Sequence, residues 1–317
     1  MSKFISCDWG TSNLRLRLVD ADPKIVLSEI KTEDGIASIY RSWKSEKFDS
    51  DRVDFYLYFL QKQISIWEDE YGSSIKDIPI LISGMASSTI GLIELEYTTL
   101  PIHANGSDLL VKKIDKSKTF PNPVYIVSGV CTENDVMRGE ETLLSGCDTL
   151  AGQTELFIIP GTHSKHIVVS DGKAESITTY MTGEFFDLLS KSSILSSSLF
   201  HELQFRIDFF ERGIRDGASM NLLNGAFQVR VNHLFKKADP GGNFHYLSGL
   251  VIGSELREIN PDGFEHITVV ASNDLMDKYI LGLGALGFSA EINRVDASQA
   301  IVTGHSKIFS FLKGIED

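Results

Sequence analysis

One short device occurs twice in this chain, and it constrains the fold more than any other feature. Residues 4–31 read FISCDWGTSNLRLRLVDADPKIVLSEIK, and residues 155–182 read ELFIIPGTHSKHIVVSDGKAESITTYMT. Each spells an apolar strand, a Gly-Thr turn followed by small polar residues, a second strand, another tight turn and a third strand. Such a turn directs backbone N–H groups and hydroxyls into one small volume, which is what a bound phosphate needs. One such hairpin in each half predicts two similar domains that hold one nucleotide between them.

Length agrees with duplication. At 317 residues the chain exceeds one compact core of ordinary size. Residues 148–153 (DTLAGQ) are the expected boundary, giving domains 1–150 and 151–317. A formal net charge of −13 argues against nucleic acid or an anionic membrane as the main partner, since both select basic surfaces. Cys7, Cys131 and Cys147 contain no CxxC pair and are odd in number, which excludes a disulfide framework or a zinc site as the organising principle. No secretory leader and no bilayer-length apolar run is present, so a cytoplasmic protein is expected.

Strands and helices follow from periodicity. In Asp54–Tyr71 the residues Leu57, Leu60, Ile64 and Trp67 recur at helical spacing. IPILISGM (78–85) and VYIVSGV (124–130) read as strands, 97–123 as irregular, and VMRGEETLLSG (136–146) as a helix or its first turns. In the second half Asp171-Gly172 marks a hairpin, and Thr182 stands where a helix N-cap belongs. Helical stretches fill 196–237, and Ser248 is a candidate cap for GLVIGSELREI. ITVVA (267–271) is a strand, followed by a helix capped by Ser272 or Asn273. Strands early and helices late in each half define an α/β protein.

Within the first turn, Gly10 allows close backbone approach, and Thr11, Ser12 and Asn13 supply donors. Asp8 ends a buried strand, where an unpaired carboxylate is costly, so a metal ion or fixed donors should face it. Strand alternation puts Arg15 within reach of the turn. In the second turn, Gly161-Thr162-His163-Ser164-Lys165, no acid precedes the glycine, so the metal belongs to the first hairpin alone. Lys165 is a phosphate or substrate cation or a solvated strand-edge lysine. Between the turns, Asp135, Arg138, Glu140 and Glu141 surround Gly139 and could supply a base and a clamp for an anionic substrate. GLGALG (282–287) matches a dinucleotide pattern but lies late in a helix and reads as helix packing. His305-Ser306-Lys307 repeats HSK outside any strand-turn-strand setting.

Taken in order, DWGTSNLR, SGM, DVMRGEET, PGTHSK, TYMTGE and YLSGLVIG resemble the 2-dehydro-3-deoxygalactonokinases, sugar-acid kinases of the actin, hexokinase and heat-shock ATPase superfamily. The resemblance covers essentially the whole chain. It implies two ribonuclease-H-like domains closing on Mg-ATP, with a 2-keto-3-deoxy sugar acid in an interdomain cleft and the γ-phosphate passing to its terminal hydroxyl. Asp8 then organises Mg²⁺. Gly10, Thr11, Ser12, Asn13 and Arg15 form the first phosphate site; Gly161, Thr162, His163 and Ser164 form the second. Gly249 and Ser272 fall in the adenosine region, where Ala271 replaces a usual glycine. Related kinases carry the base a little over twenty residues before the second turn, which favours Glu140 by spacing and Asp135 by type, with Glu141 also open. Arg138 matches the substrate carboxylate, with Ser83, Gly84, Met85, Lys165 and Glu184 as further pocket residues. A kinase for another sugar or sugar acid, or a non-kinase actin-like ATPase, is the competing reading, and a homodimer is left open.

Overall fold

The computed structural model describes residues 3–22, 24–45 and 51–316, the side chains of 314–316 excepted. The chain divides into two compact units: Met1–Thr149 with Gly172–Ile177 and Ser298–Asp317, and Leu150–Asp171 with Thr178–Ala297. The chain therefore crosses the division more than once, and its last helix belongs to the first unit.

The first unit opens with an antiparallel meander of β1 (Lys3–Trp9), β2 (Leu14–Asp20) and β3 (Ile25–Thr32). Helices α1 (Ile36–Ser45) and α2 (Arg52–Tyr71) follow. On α2 the stripe Leu57, Leu60, Ile64 and Trp67 is buried, as its spacing requires, and Gly72 closes the helix in the left-handed conformation at φ 72°. β4 (Ile80–Gly84) then lies parallel to β1. After the short strands β5 (Thr98–Thr99) and β6 (Ile102–His103) come β7 (Val111–Ile114) and β8 (Val124–Val127). β9 (Val130–Cys131), β10 (Val136–Met137) and α3 (Glu140–Ser145) complete the sequence up to the division. The sheet order is β3-β2-β1-β4-β8-β7. β7 corrects the expectation that 97–123 is irregular: its VKKI places lysines at the two middle positions and gives little apolar signal, yet it pairs antiparallel with β8.

The second unit repeats this plan. β11 (Thr154–Ile159), β12 (Ser164–Ser170) and β13 (Lys173–Tyr180) form the meander. Asp171 (φ 48°) and Gly172 (φ 74°) make the two-residue turn between β12 and β13. Helices α4 (Thr182–Ser192), α5 (Ile207–Ser219), α6 (Leu222–Leu234) and α7 (Pro240–Leu256) follow. β14 (His266–Ala271), α8 (Asn273–Ala285) and β15 (Glu291–Asp296) end it. The sheet runs β15-β14-β11-β12-β13-β6, with β13 straddling the division. With the edge strands β7 and β6 set aside, the five remaining strands of each sheet read 3-2-1-4-5 in chain order, the first three antiparallel and the last two parallel to the first. The duplication seen in the hairpins extends to whole sheets, and the fold is the expected paired ribonuclease-H-like α/β architecture.

Two expected caps are corrected. α7 begins at Pro240 under an Asp239 cap that accepts from Gly242 N–H at 2.7 Å, so Ser248 lies in mid-helix. The N-cap of α4 is Met181, and Thr182 already belongs to the helix with its hydroxyl committed elsewhere. GLGALG does pack helices: a Cβ on Gly282 would lie 2.8 Å from a Leu256 methyl.

Back in the first unit, α9 (Ala297–Glu316) crosses α3 at nearly bare backbone. A Cβ on Gly146 would sit 1.8 Å from the Ala300 carbonyl oxygen, and one on Gly304 2.0 Å from that of Thr142. His305 on α9 lies 2.8 Å from Ser6 Oγ on β1. The helix thereby fixes α3, and with it the acids at the start of α3. Among the described residues no helix is long and apolar enough to cross a membrane.

Candidate active site

Each unit holds its phosphate-type turn in the same way. In the first, Gly10 N–H donates to Asn13 O at 3.0 Å, closing the loop and leaving Thr11, Ser12 and Asn13 exposed. The start of α1 braces it: Ala37 N–H donates to Thr11 O at 3.1 Å, and a Cβ on Gly35 would lie 2.2 Å from that same oxygen. In the second, Gly161, Thr162 and His163 are exposed. The start of α4 braces them, with Glu184 N–H donating to Thr162 O at 3.0 Å and a Cβ on Gly183 falling 2.5 Å from Gly161 O. Turn, threonine carbonyl, helix start and bare glycine are thus all duplicated. The first copy of the brace (Gly35 to Ala37) was not evident from sequence, because Asp-Gly-Ile-Ala bears little likeness to Thr-Gly-Glu-Phe.

The acids of the first unit meet where three backbone segments touch. β1 and β4 pair Trp9 with Gly84 and Asp8 with Ser83. Gly84, at φ 89°, has no room for a side chain, since a Cβ would lie 2.8 Å from Trp9 O. Gly139, at φ 110°, would place a Cβ 3.3 Å from Gly84 Cα. These glycines bring the Asp8 strand, the Ser83-Gly84-Met85 segment and the Arg138–Glu141 segment together. Burial pushes the Asp8 carboxyl up; the guanidinium groups of Arg17 and then Arg15 oppose that rise, and the Glu140 carboxylate adds to it. Arg15 stands directly across the strand pair from Asp8. Arg17, two residues further along the same strand, is buried and ion-paired to Glu29 at 2.5 Å.

The three candidate bases separate. Glu140 is half-buried, accepts from Arg138 N–H at 2.9 Å and lies close enough to Asp8 to perturb it. Glu141 points the other way. It is 1% exposed and accepts from Gly139 N–H at 2.7 Å and from the Thr142 hydroxyl at 3.2 Å. Burial, with Glu140 adding to it, pushes its pKa up to about 7. It is an internal cap of α3, which corrects its place among the candidate bases. Asp135 sits on the turn before β10, its carboxylate accepting from Val136 N–H at 2.7 Å. Arg138 is held by two partners the sequence did not reveal: Ser87 O at 2.6 Å, and the Tyr97 ring, 4.2 Å from ring centroid to guanidinium carbon. Its Nε is buried with no protein partner, and so is Ser83 Oγ. Met85 opens a short 3-10 turn beside them.

In the second unit the side chains at and after the turn are committed to partners. His163 Nε2 lies 2.5 Å from Glu184 Oε2, so these two predicted residues pair with each other. Lys165 is buried and reaches back to His163 O at 3.1 Å, which removes the solvated-lysine reading. Ser164 is fully buried and donates its hydroxyl to Glu255, a correction to its expected phosphate role. Gly249 is likewise corrected: a Cβ there would meet Phe210 O at 2.1 Å, so it serves the α5–α7 crossing. Ser272 is the exposed cap residue of α8. A cavity of about 550 Å³ opens beside Gly161, with Phe186, Phe244, Leu275 and Tyr279 as apolar walls and Ser248 and Lys278 as polar ones. Its aromatic lining was legible only as scattered core residues.

Among the described residues no group of three or more His, Cys, Asp or Glu is gathered to hold a metal unaided. Asp8 and its neighbour Glu140 are hard oxygen donors. Such a sparse set suits a magnesium ion that keeps most of its water and takes phosphate oxygens as the remaining ligands. Cys7 beside Asp8 is fully buried and its thiol is pushed far up by that burial, so it stays protonated and unreactive.

Comparison with known proteins gives a consistent result. The family model for 2-keto-3-deoxy-galactonokinase matches residues 8–308. A 2-dehydro-3-deoxygalactonokinase of Escherichia coli (strain K12) is 27% identical over 294 residues, covering 90% of this chain and 91% of that protein. A Rhizobium meliloti (strain 1021) protein, named as a probable enzyme of the same activity, is 27% identical over 322 residues, with 96% and 95% coverage. The crystal structure of a Sinorhizobium meliloti protein, provisionally named likewise, superposes with a TM-score of 0.81 at 25% identity, covering 98% of this chain and 96% of that one.

Proposed function

The chain belongs to the 2-keto-3-deoxy-galactonokinase family, and on that premise we propose that it transfers the γ-phosphoryl group of Mg-ATP to the 6-hydroxyl of 2-dehydro-3-deoxy-D-galactonate, as part of galactonate catabolism. The observation that carries the reading is the junction of Trp9, Gly84 and Gly139, which brings the Asp8 strand end, next to the Gly10–Ser12 turn, within electrostatic reach of Glu140.

In this reading Glu140 accepts the proton of the attacking hydroxyl. The new bond joins that oxygen to the γ-phosphorus, the bond to the β-bridging oxygen breaks, and ADP leaves. Phosphoryl transfer asks little covalent chemistry of a protein, so positioning and charge neutralisation dominate. Asp8 would hold the magnesium ion, which would supply neutralising charge to the phosphates when bound. Thr11, Ser12 and Arg15 serve the phosphates in the first unit, and Gly161 and Thr162 do so in the second. Arg138 is preorganised by Ser87 and Tyr97, with its Nε left for the sugar-acid carboxylate. The Ser83 hydroxyl, also without a protein partner, serves a substrate oxygen. The apolar cavity beside Gly161 takes the adenosine. Assigning the adenosine there leaves Ser272 outside the residues that line the cavity.

The test is ADP release with Mg-ATP across stereoisomeric 2-keto-3-deoxy sugar acids and neutral sugars. Selective turnover of the galacto acid is expected. Selective turnover of a neutral sugar would refute the substrate assignment, and ATP hydrolysis without any acceptor dependence would refute the kinase reading.

A further inference from the structure

The most heavily bonded side chain in the second unit lies outside every role above. Glu255, near the end of α7, is 2% exposed, and its carboxylate accepts four side-chain hydrogen bonds. Oε1 takes the Ser164 hydroxyl at 2.7 Å and the His166 Nε2–H at 2.8 Å. Oε2 takes the Tyr279 hydroxyl at 2.6 Å and the Thr182 hydroxyl. Two donors on each oxygen fully satisfy a group whose burial would otherwise be costly.

What matters is where the four donors come from. Ser164 and His166 begin the strand that leaves the second phosphate turn. Thr182 opens α4, whose next residue, Gly183, presses on Gly161 and Thr162. Tyr279 belongs to α8 and its ring walls the cavity, as does Thr182. One carboxylate therefore ties the turn that would hold phosphates to the two helices that would hold the nucleoside. A ligand that spans both needs their spacing fixed before it arrives, because ordering them on binding costs affinity. A neutral core residue could fill the same volume, but could not draw in four donors from three directions.

We propose that Glu255 is a positioning residue for the nucleotide: it sets the distance between the Gly161-Thr162 turn and the cavity wall, and so governs ATP affinity without touching ATP. The inference rests on the nucleotide reading of the second unit given above. It goes further by assigning the determinant of affinity to a residue that lines neither the turn nor the cavity.

The test is Glu255→Gln, which keeps the shape but removes the charge and turns one acceptor into a donor. Tyr279→Phe is the milder companion, deleting one of the four bonds and leaving the ring in place. Each purified full-length variant is titrated with Mg-ATP by calorimetry and assayed for KM toward both substrates. Losing a hydrogen bond to a charged group corresponds to about tenfold in an equilibrium constant. Glu255→Gln is therefore expected to raise Kd and KM for ATP by about tenfold or more, and Tyr279→Phe by a smaller factor in the same direction. KM for the sugar acid should stay at its wild-type value in both. A residue that merely supported folding would lower active protein or kcat and move neither KM. The proposal is overturned if ATP affinity is unchanged in Tyr279→Phe and in folded Glu255→Gln, or if both KM values shift alike. Should Glu255→Gln not fold, Tyr279→Phe decides alone. Wild-type protein that binds no ATP would instead overturn the nucleotide reading, and this inference with it.

Discussion

Replacing Glu141 with glutamine should make the protein more stable, by an amount that depends on pH in a defined direction. Glu141 is buried at the start of α3, and its pKa is pushed from 4.5 to about 7 by burial and then by Glu140. For an acid raised in the fold, the native state keeps a proton that the unfolded chain releases. Stability should therefore fall as pH rises from about 4.5 to about 7, and level off above that. A shift of 7 − 4.5, or about 2.5 units, at about 1.4 kcal/mol each corresponds to roughly 3 kcal/mol of lost stability at pH 8. Glutamine has no charge to bury, and its carbonyl oxygen can still accept from Gly139 N–H. Urea unfolding followed by tryptophan fluorescence is well suited, because Trp9, Trp43 and Trp67 all lie in the first unit. The advantage of Glu141→Gln over wild type should grow by about 2–3 kcal/mol between pH 5 and pH 8. Turnover should remain within a few-fold of wild type, since Glu141 faces the core. A stability difference independent of pH, or a glutamine variant weaker than wild type at pH 8, would refute the assignment of a buried, raised carboxyl.

Glu140→Gln, one residue away, should behave oppositely: unchanged stability, but turnover lower by about 10²–10⁴ in steady-state assays. Near-normal turnover would move the base to Asp135. Gly183→Ala puts a Cβ 2.5 Å from Gly161 O and should displace the second turn, raising KM for ATP while sparing KM for the sugar acid; equal shifts in both would count against it. Gly84→Ala combines φ 89° with a Cβ 2.8 Å from Trp9 O. It should cost about 1–3 kcal/mol in the fluorescence-detected transition and separate Asp8 from Glu140, lowering turnover as well.

How much of this was legible in the sequence depends on whether a residue's neighbours are close in the chain. The two meanders, the α2 stripe and the Asp171-Gly172 turn are local patterns, and the structure reproduces them. β7, with lysines at its middle positions, forms because β8 offers a free edge, which no local pattern reveals. β15 and α9 carry no decisive local pattern for the same reason. The buried face of α9 contains Gly304, His305 and Ser306, whose burial makes sense only against Thr142 and Ser6, more than 150 residues earlier. At the site, sequence supplied the residue types but not their directions. Glu140 and Glu141 are adjacent and chemically alike, yet one is felt electrostatically by Asp8 and the other caps its own helix from within. Glu255 did leave one trace: within LVIGSEL it falls four residues after Val251 and three after Ile252, on the buried side of an apolar helix. An acid in that position must meet donors from elsewhere in the fold. The sequence thus signals that a buried polar hub exists before it can say which strands and helices the hub joins.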